Sequence, residues 1–353
     1  MQTFGRTMAR VIVGAAVLYC GLMLSLGVLS LLPIAQPWWL SFLNVFKLFW
    51  YVPLIVLLPA ALLIRSRVLR FVVALMLAVF LVQFGARLVP PEPQVASGKV
   101  LRVMTLNQLY SNGDIPGLIA AIRAQNADVV ALQELSRPMA DAIEQELLDE
   151  YPYQVLMPAE RDNGQGLLSR YPLHAPQRDP DFPAQLMEVD VDGTVIQVMN
   201  VHLHAPRIKT RRLELLSNTP LRRLPLLVDY DTSVRDEEWP ALLEGIDAIQ
   251  GDLIVMGDFN TGDCEQPYAA MAARLRDAHA EAGWGFGFTF PRRSTYSEWH
   301  VPFPLVRIDY IWTKGALQPI SSQVVCENGS SDHCAVVAEV RLEQPDSPVL
   351  GLK

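Results

Sequence analysis

The residues Leu253-Ile254-Val255-Met256-Gly257-Asp258-Phe259-Asn260 join an apolar run to a polar corner, and this stretch decides the fold. Four apolar residues that end at a glycine are typical of a buried strand. Such a strand delivers the carboxylate of Asp258 and the amide of Asn260 to the edge of a sheet. The same tetrapeptide also suits an ordinary strand-to-turn corner, so its meaning depends on the other strand ends of the chain.

Polar residues lie at the ends of the other predicted strands as well. Each of them alone has an ordinary explanation, such as a turn cap, a helix start or a satisfied core histidine. Because a sheet brings its strand ends to a common rim, their repetition predicts a shared site. An aspartate within an apolar strand is also costly unless a charge or a hydrogen bond compensates it. The candidate residues are Asn107, Glu134, Asn200, His202, Asp258, Asn260, Asp309, Asp332 and His333.

From residue 100 onward, short apolar segments alternate with longer amphipathic ones. The periodicity of Ile115–Gln125 and Pro138–Leu148 predicts two helices, and Asp192-Gly193 is a good two-residue hairpin turn. Many strands with interspersed helices and a hairpin predict a mixed-sheet α/β sandwich rather than a parallel Rossmann sheet. The predicted strands are Val100–Leu106, Asp128–Leu132, Leu167–Ser169, Leu186–Val191, Val195–Val201, Leu253–Met256, Ile308–Trp312 and Ala335–Val340.

A set of motifs in this part of the chain resembles the endonuclease/exonuclease/phosphatase superfamily. The motifs occur in that family's order and span about residues 100 to 340. The resemblance implies the four-layered α/β sandwich of deoxyribonuclease I, hydrolysis of phosphoric esters and a dependence on Mg²⁺ or Mn²⁺. The motifs are Asn107, Leu132-Gln133-Glu134, Gly166–Leu173, Asn200-Val201-His202-Leu203, Gly257-Asp258-Phe259-Asn260, Phe288-Thr289-Phe290-Pro291, Arg307–Ile311 and Ser331-Asp332-His333.

The resemblance also implies which residues hold the metal and activate water. A hard divalent cation prefers oxygen ligands and would be held by Glu134, with Asn107 and Asp332 nearby. The metal would neutralise charge on the phosphoryl oxygen and on the leaving group. Asp258 would orient or deprotonate the attacking water, and Asn260 would hydrogen-bond the phosphate.

The remaining residues would act on the phosphate side of the site. His333 would contact the phosphate, and Asp309 would hold its imidazole in one tautomer. His202 would be a second phosphate donor or the general acid, and Asn200 would contribute to substrate binding. Deoxyribonuclease-like members carry a second glutamate before the central hairpin. Here that region reads Glu160-Arg161-Asp162-Asn163-Gly164, to which we assign no role.

Three apolar segments precede this domain, at Val11–Ile34, Leu48–Ile64 and Val68–Ala86. Each is close to the ~20 residues that cross a bilayer core as a helix. A cleaved signal peptide is the alternative for the first segment. That segment is longer than a signal h-region, however, and no small-x-small cleavage site precedes a soluble sequence. The aromatic stretch Pro37–Tyr51, which includes Lys47, is typical of a membrane interface.

The basic residues predict the orientation of these segments. Because arginines flank the first segment and fill the second loop, we expect the N-terminus and that loop to be cytoplasmic and the catalytic domain to be outside the cell (inner) membrane. These arginines are Arg6, Arg10, Arg65, Arg67 and Arg70. The predicted organisation is three transmembrane helices in residues 1–88, a proline-rich linker in 89–99, a catalytic domain in 100–345 and a tail in 346–353.

Four cysteines are present, and their spacing does not fit a structural zinc site. Cys20 lies inside a predicted span. An extracytoplasmic domain permits disulfides, and Cys326 and Cys334 could pair across neighbouring strands. Free buried thiols are nevertheless the default expectation for Cys264, Cys326 and Cys334.

The charge distribution bears on the substrate. Residues 1–99 contain eight basic residues and one acidic residue, a net charge of +7, and the whole chain carries −8, so residues 100–353 carry −15. A nuclease usually presents a basic face to the phosphate backbone, so duplex DNA is disfavoured. A domain tethered near the membrane meets lipid headgroups at a high effective concentration. We therefore expect a phosphohydrolase that cleaves a phosphate, pyrophosphate or phosphodiester bond of a lipid-linked substrate at the outer face of the membrane.

The layout of the chain supports a lipid substrate, because it is similar to that of membrane-anchored family members linked to glycopeptide resistance, which act on polyprenyl pyrophosphate.

Other functions stay open at this point. An extracytoplasmic endo- or exonuclease is the second hypothesis, and a non-catalytic envelope binding module is the third. The polar stretch 205–250 is either a solvated helical excursion or a substrate-side element whose arginines between Arg207 and Arg223 meet anionic groups.

Overall fold

A computed structural model describes residues 2–32, 36–92, 98–174, 184–208, 230–292 and 303–342. The chain folds into two compact units. The first comprises Met1–Val89 with Ile208–Tyr230 and Cys264–Gln266, and the second comprises the rest of the chain. The predicted tail and most of the predicted basic half of the 205–250 stretch lie outside the described residues.

The first unit is built from apolar helices. Two of them are long enough to cross a membrane, Arg6–Leu31 and Arg67–Leu88. Two further helical segments, Trp38–Val45 and Lys47–Leu63, meet at a bend of 74°. They count as a third span only if the two segments are combined. The elements of this unit are α1 (Gln2–Leu31), α2 (Trp38–Val45), a 3₁₀ helix at Lys47–Tyr51, α3 (Leu54–Leu63), α4 (Arg67–Phe84) and a 3₁₀ helix at Gly85–Leu88.

The second predicted span, Leu48–Ile64, is helical in two parts. The 3₁₀ turn Lys47–Tyr51 leads into the 10-residue α3, and together they form the helical segment Lys47–Leu63. Pro53 lies where the 3₁₀ turn passes into α3, and a proline has no backbone N–H with which to continue a helical ladder. The 74° bend lies before this segment, between Val45 and Lys47.

The second unit contains two six-stranded sheets. The order of the first sheet is β13-β14-β1-β2-β4-β3, and the order of the second is β11-β12-β10-β7-β6-β5. The strands of these two sheets are β1 (Lys99–Asn107), β2 (Val129–Gln133), β3 (Tyr153–Met157), β4 (Gln165–Ser169), β5 (Leu173–His174), β6 (Ala184–Val191), β7 (Thr194–His202), β10 (Leu253–Asp258), β11 (Arg276–Asp277), β12 (Asp309–Lys314), β13 (Leu317–Val325) and β14 (Ala335–Leu342). The short strands β8 (Arg207–Ile208) and β9 (Tyr230–Asp231) form a separate two-stranded sheet.

Helices cover the outer faces of the two sheets. The first sheet packs against α5 and α6 through a cluster that includes Ile122 and Ile143. The second packs against α7 and α8 through Trp239 and Met271. The described helices of this unit are α5 (Ile115–Gln125), α6 (Arg137–Glu146), a 3₁₀ turn at Arg161–Asn163, α7 (Ser233–Ala248), α8 (Gln266–Ala272) and α9 (Ala278–Ala282).

The inner faces of the sheets pack against each other. Ile254 and Met256 belong to this central core, whereas Leu253 and Val255 on the same strand face the helices. Because alternate side chains of a strand point to opposite faces, a strand buried on both faces is apolar throughout. This arrangement explains the continuous apolar run of β10 and confirms the predicted four-layered α/β sandwich.

Most of the predicted elements in this unit are confirmed. The helix over Ile115–Gln125 has the predicted bounds, and each predicted strand lies within two residues of its predicted bounds. β6 and β7 pair as an antiparallel hairpin around Asp192-Gly193, both with positive φ. The strands β3 and β13 were not predicted. The expectation of free thiols is wrong for Cys326 and Cys334, which form a disulfide.

Candidate active site

The site lies where the two sheets bring their strand ends together. β1 and β2 run parallel in one sheet, and β7 and β10 run parallel in the other, so each pair ends at the same edge. The pairing places Asp258 opposite His202 on β7. β12 and β14 run antiparallel to β10 and β1, so they begin at the edge where β10 and β1 end, with Asp309 opposite Asp258. We call this common edge of the two sheets the rim.

Asp258 is the residue through which the two sheets meet. Its side chain is 1% exposed, and its Oδ2 accepts a hydrogen bond of 3.0 Å from Nδ2 of Asn107 at the end of β1. The same Nδ2 donates to Oε1 of Glu134, also at 3.0 Å. The backbone N–H of Asn260 donates to Asp258 Oδ1 at 2.8 Å. The carboxylate is thus fixed by both sheets and by the turn that follows its own strand.

Two histidines flank this carboxylate. Nε2 of His202 and Nε2 of His333 each lie 3.8 Å from Oδ2 of Asp258, and Nε2 of His202 also lies 3.9 Å from Oε1 of Glu134. Nδ1 of His333 lies 3.0 Å from Oδ2 of Asp309, so the predicted histidine–aspartate pair is present in the structure. Both Nε2 atoms therefore face Asp258 at distances longer than a hydrogen bond.

Burial and neighbouring charges shift the pKa values here. Burial raises the pKa of Asp258 to about 6, and the nearby carboxylate of Asp309 acts in the same direction, while His333 and His202 oppose it. Burial alone would lower the pKa of His333, but the carboxylates of Asp309 and Asp258 raise it to about 10. His333 is therefore a buried cation at neutral pH that compensates two buried acids.

The oxygen-rich side of the site fits a divalent cation. Asp332 is 9% exposed, and burial raises its pKa, with a further contribution from the nearby carboxylate of Glu134. Oε2 of Glu134 accepts a hydrogen bond of 3.0 Å from the backbone N–H of Tyr110. Within the part of the chain that the structure describes, no arginine or lysine pairs with Glu134 or Asp332, and two such neighbouring carboxylates are the donor set that Mg²⁺ or Mn²⁺ prefers. Glu134 and Asp332 would hold such an ion.

Asn107 and the trio Asp258, Asp309 and His333 are the other candidate metal ligands. Oδ1 of Asn107 accepts from the N–H of Leu109 at 3.0 Å, so its amide oxygen is engaged in a turn. Ligand atoms of Asp258, Asp309 and His333 also lie within 4.8 Å of one another. Protonated His333 already supplies the positive charge in that trio, which makes the Glu134 side the better cation site.

The backbone is unusual at two of these residues. Glu134 has φ 56° and Asn260 has φ 48°, in the left-handed region that costs most residues energy but suits asparagine best. Gln108 bonds the carbonyl of Glu134, and Nδ2 of Asn260 donates to the carbonyl of Leu203 at 2.8 Å. Such conformations persist only where the surroundings hold them, and they concentrate at functional sites.

Asn200 is not brought to the rim with the other candidates. It is fully buried, and its Nδ2 donates to the carbonyls of Leu132 and Gly166 at 3.0 and 3.1 Å. Its Oδ1 accepts from Nε2 of Gln133 at 2.7 Å. These bonds tie the inner faces of the two sheets together, and they give Asn200 a structural role, with no direct contact to the rim in this geometry.

Two further residues support the site and were not predicted from the sequence. The guanidinium of Arg235, on α7, is 2% exposed and donates a hydrogen bond to the backbone carbonyl of Asn260. Oγ of Ser331 donates to the carbonyl of Asn107 at 2.6 Å and accepts from the N–H of His333 at 3.0 Å. Ser331 belongs to a motif that the sequence did single out, whereas Arg235 sits in a polar stretch with no local signal.

Two facing sheets that gather carboxylates, amides and two histidines at one rim define the class of metal-dependent phosphoric ester hydrolases built on an α/β sandwich. The chain belongs to the Endonuclease/Exonuclease/phosphatase family, whose sequence profile matches residues 104–333. Enzymes of this family use divalent metals, so the chain is a metal-dependent phosphoric ester hydrolase.

Solved structures share the fold. An endonuclease/exonuclease/phosphatase family protein from Bacteroides thetaiotaomicron is 16% identical, with a TM-score of 0.50, and the match covers 70% of this chain and 100% of that one. A protein of the same description from Bacteroides vulgatus is 18% identical, with a TM-score of 0.50, over 69% of this chain and 100% of that one. TDP2 of D. rerio, complexed with a single-strand DNA product, is 16% identical, with a TM-score of 0.50, over 69% and 99%. No curated protein matches the chain.

Proposed function

We propose that the chain is a membrane-anchored phosphohydrolase that cleaves a phosphate, pyrophosphate or phosphodiester bond of a lipid-linked substrate at the outer face of the membrane. The observation that carries the proposal is the combination of apolar helices with the phosphoesterase domain in one chain. The helices Arg6–Leu31 and Arg67–Leu88 are each long enough to span a bilayer. A tether of this kind raises the effective concentration of membrane-bound substrates.

The charge of the catalytic part supports a lipid substrate over a nucleic acid. Residues 100–353 contain 21 basic and 36 acidic residues, a net charge of −15. Affinity for a nucleic acid backbone comes largely from lysine and arginine, and a strongly acidic domain repels such a polymer. A single lipid headgroup presents one or two phosphates, which the buried cation His333 and its neighbours suffice to bind.

In the proposed reaction, Asp258 positions water and accepts its proton. The oxygen of that water forms a bond to phosphorus while the bond from phosphorus to the leaving oxygen breaks. Asp258 is suited to this role because Asn107 and Asn260 hold both of its oxygens in place. Pre-positioned groups of this kind lower the entropic cost of the attack.

The two histidines act on the phosphate in this proposal. Both present Nε2 to the space beside Asp258, at 3.8 Å from its Oδ2. His333, kept protonated by Asp309, donates to a phosphoryl oxygen, and His202 donates a proton to the leaving oxygen. A bound divalent cation would neutralise developing charge on the phosphoryl group. Asn260 would contribute a hydrogen bond to the phosphate.

A nuclease is the second candidate function. The observation that favours it is that the D. rerio structure of similar fold was solved in complex with a single-strand DNA product. At 16% identity the likeness extends to the fold alone. The rim residues described above can act on any phosphoric ester, so the choice between the two functions depends on what surrounds the phosphate.

A substrate panel tests the proposal. The full chain, reconstituted in liposomes, is given polyprenyl pyrophosphate, plasmid DNA and RNA in parallel, with Mg²⁺ or with a chelator. We expect phosphate release from the lipid pyrophosphate that requires Mg²⁺, and little or no cleavage of either nucleic acid. Efficient cleavage of plasmid or RNA without release of lipid phosphate would reject the lipid proposal in favour of the nuclease.

A further inference from the structure

A cavity of about 180 Å³ lies among the apolar helices of the first unit, far in sequence from the catalytic rim. It is bounded by the C-terminal half of α1, by α4 and by the 3₁₀ turn Lys47–Tyr51. The cavity is open on one side, where Val28 and Leu31 of α1 are 62% and 81% exposed. Its lining includes Gly27 of α1 and the polar residues Lys47, Tyr51 and Gln83.

The polar residues of this cavity belong to one patch. Lys47 Nζ lies 5.7 Å from the centre of the Trp50 ring, and Oη of Tyr51 donates to Oε1 of Gln83 at 3.3 Å. The hydroxyl of Tyr19 donates to the carbonyl of Trp50, which ties the 3₁₀ turn to α1. The remaining lining is aliphatic, with a thiol and two thioethers. A mostly apolar pocket with a few convergent polar groups is typical of a small-molecule site.

Lys47 is the feature that specifies the ligand. It is the only charged residue between Arg10 and Arg65 in the sequence. Within the described part of the chain, Lys47 forms no ion pair. An unpaired cation within an apolar helical unit is costly and marks a site for an anionic ligand.

We propose that this cavity binds one anionic phospholipid, with its phosphate at Lys47 and an acyl chain along the groove between α1 and α4. The aliphatic lining and the open side suit a chain that continues into the surrounding bilayer. The single cation suits one phosphate, and it favours a headgroup with a net negative charge over a zwitterionic one, whose own cation offsets the charge of its phosphate. This site is independent of the catalytic rim and of the substrate proposed for it.

Glycines of α1 supply a matched pair of variants. Gly27 lines the cavity, and a Cβ added there meets nothing within 4 Å, so Gly27→Leu places an isobutyl side chain at the cavity. Gly14 lies on the same helix, has equally open surroundings and does not line the cavity. Gly14→Leu therefore reproduces the gain in helix propensity and apolar surface while it leaves the cavity empty.

Native mass spectrometry of the full chain in mild detergent measures the binding. The probes are dioleoyl phosphatidic acid, dioleoyl phosphatidylcholine and inorganic phosphate. We expect one phosphatidic acid to remain bound to the wild type, about fivefold weaker binding in Lys47→Gln, and wild-type binding in Lys47→Arg. The binding of phosphatidylcholine, whose headgroup has no net charge, should differ little between the wild type and Lys47→Gln. Inorganic phosphate should neither bind stably nor displace the lipid, because the chain contributes most of the affinity.

The glycine pair gives the second criterion. Gly27→Leu should lose the bound phosphatidic acid, and Gly14→Leu should retain it. Equal binding by the wild type and Lys47→Gln would overturn the proposal, as would equal behaviour of the two glycine variants. Displacement by inorganic phosphate alone would show an anion site without a lipid chain, and would also overturn it. None of these measurements depends on catalytic activity.

Discussion

Gly257 illustrates how a single backbone position determines the candidate site. Its φ is +150°, and a Cβ placed there would lie 1.9 Å from the carbonyl oxygen of Val201 on the neighbouring strand. Only glycine allows β7 and β10 to approach this closely one residue before Asp258. The glycine of the tetrapeptide is therefore as necessary to the site as the aspartate, because it sets where the carboxylate emerges.

Replacement of Gly257 by alanine should disrupt this approach. We expect Gly257→Ala to destabilise the fold by at least about 3 kcal/mol, since backbone strain and a steric clash add. Thermal unfolding of the detergent-solubilised chain measures the loss. Gly193→Ala is the control, because Gly193 has φ +90° with nothing within 4 Å and should lose only about 1–2 kcal/mol of unfolding free energy. Similar losses in both variants would contradict the steric argument.

Arg235 should act as a positioning residue for Asn260. Because its buried guanidinium holds the carbonyl of a residue with left-handed φ, Arg235→Lys should let the turn shift and lower kcat roughly 10- to 100-fold, with a smaller change in KM. Steady-state phosphate release measures both constants. Arg274→Lys is the control, since Arg274 is one-third exposed and pairs with Asp247 on the surface. An unchanged kcat in Arg235→Lys would reject this role.

At this scale the sequence predicted the rim residues better than it predicted their supports. Asp258, His333 and Asp309 could be found because they interrupt apolar strands in the family's order. Asn200 also interrupts an apolar strand, yet its amide forms hydrogen bonds between the inner faces of the two sheets. The pattern of a single strand does not reveal whether such a side chain lies at the rim or between the sheets. Arg235 could not be found, because a buried cation in a polar helix looks like a solvated one until the packing is known.

The elements themselves were predicted well where both periodicity and length were informative. α5 has its predicted bounds because Asp114 caps its start and Asn126 ends it in a left-handed conformation. β13 was missed since its residues are only partly buried and it contains Pro319 and three polar residues in succession. The second apolar segment was predicted from hydropathy, which does not register the change from 3₁₀ to α-helix near Pro53.

Asp277 and Arg307 form a buried ion pair between β11 and the approach to β12. Burial would raise the pKa of Asp277, but the Arg307 guanidinium lowers it below its ordinary value, with help from the Tyr268 hydroxyl at 2.7 Å. Asp277 Oδ1 also accepts from the N–H groups of His279 and Ala280, so it caps α9. The pair therefore joins a helix start to the segment that carries Asp309.

This pair should make stability depend on acid pH. A carboxylate whose folded-state pKa is depressed contributes stability above its unfolded pKa of about 3.9, and the contribution is lost as the pH falls through the folded value. Asp277→Asn should therefore cost about 3–5 kcal/mol of unfolding free energy at pH 7, with a shrinking difference from wild type below about pH 4. Thermal unfolding across this pH range tests it. A difference that stays constant down to pH 2 would contradict the ionic account.

At the scale of the whole molecule, the division between apolar helices and an acidic domain governs the proposed location. The net charge of residues 1–99 is +7 and that of residues 100–353 is −15. A disulfide between Cys326 and Cys334 is compatible with an oxidising compartment. The sequence predicted this division from composition, whereas the two-unit packing depends on long-range contacts that composition does not contain.

A reporter fused after Lys353 tests the predicted orientation. Alkaline phosphatase, which needs an oxidising compartment, should be active in this fusion, and a cytoplasmic reporter at the same position should be silent. The expectation follows from the arginines on the predicted cytoplasmic side of the helices. The opposite pattern of reporter activity would reverse the topology and remove the argument for substrates at the outer face.

The most direct measurement is Mg²⁺-dependent phosphate release from polyprenyl pyrophosphate by the wild type and by Asp258→Asn, side by side in liposomes. The substitution keeps the shape of a side chain that is 1% exposed but removes its negative charge. We predict a fall in turnover of about 10²- to 10⁴-fold with a melting temperature close to that of the wild type. Wild-type turnover by a folded Asp258→Asn variant would contradict the account.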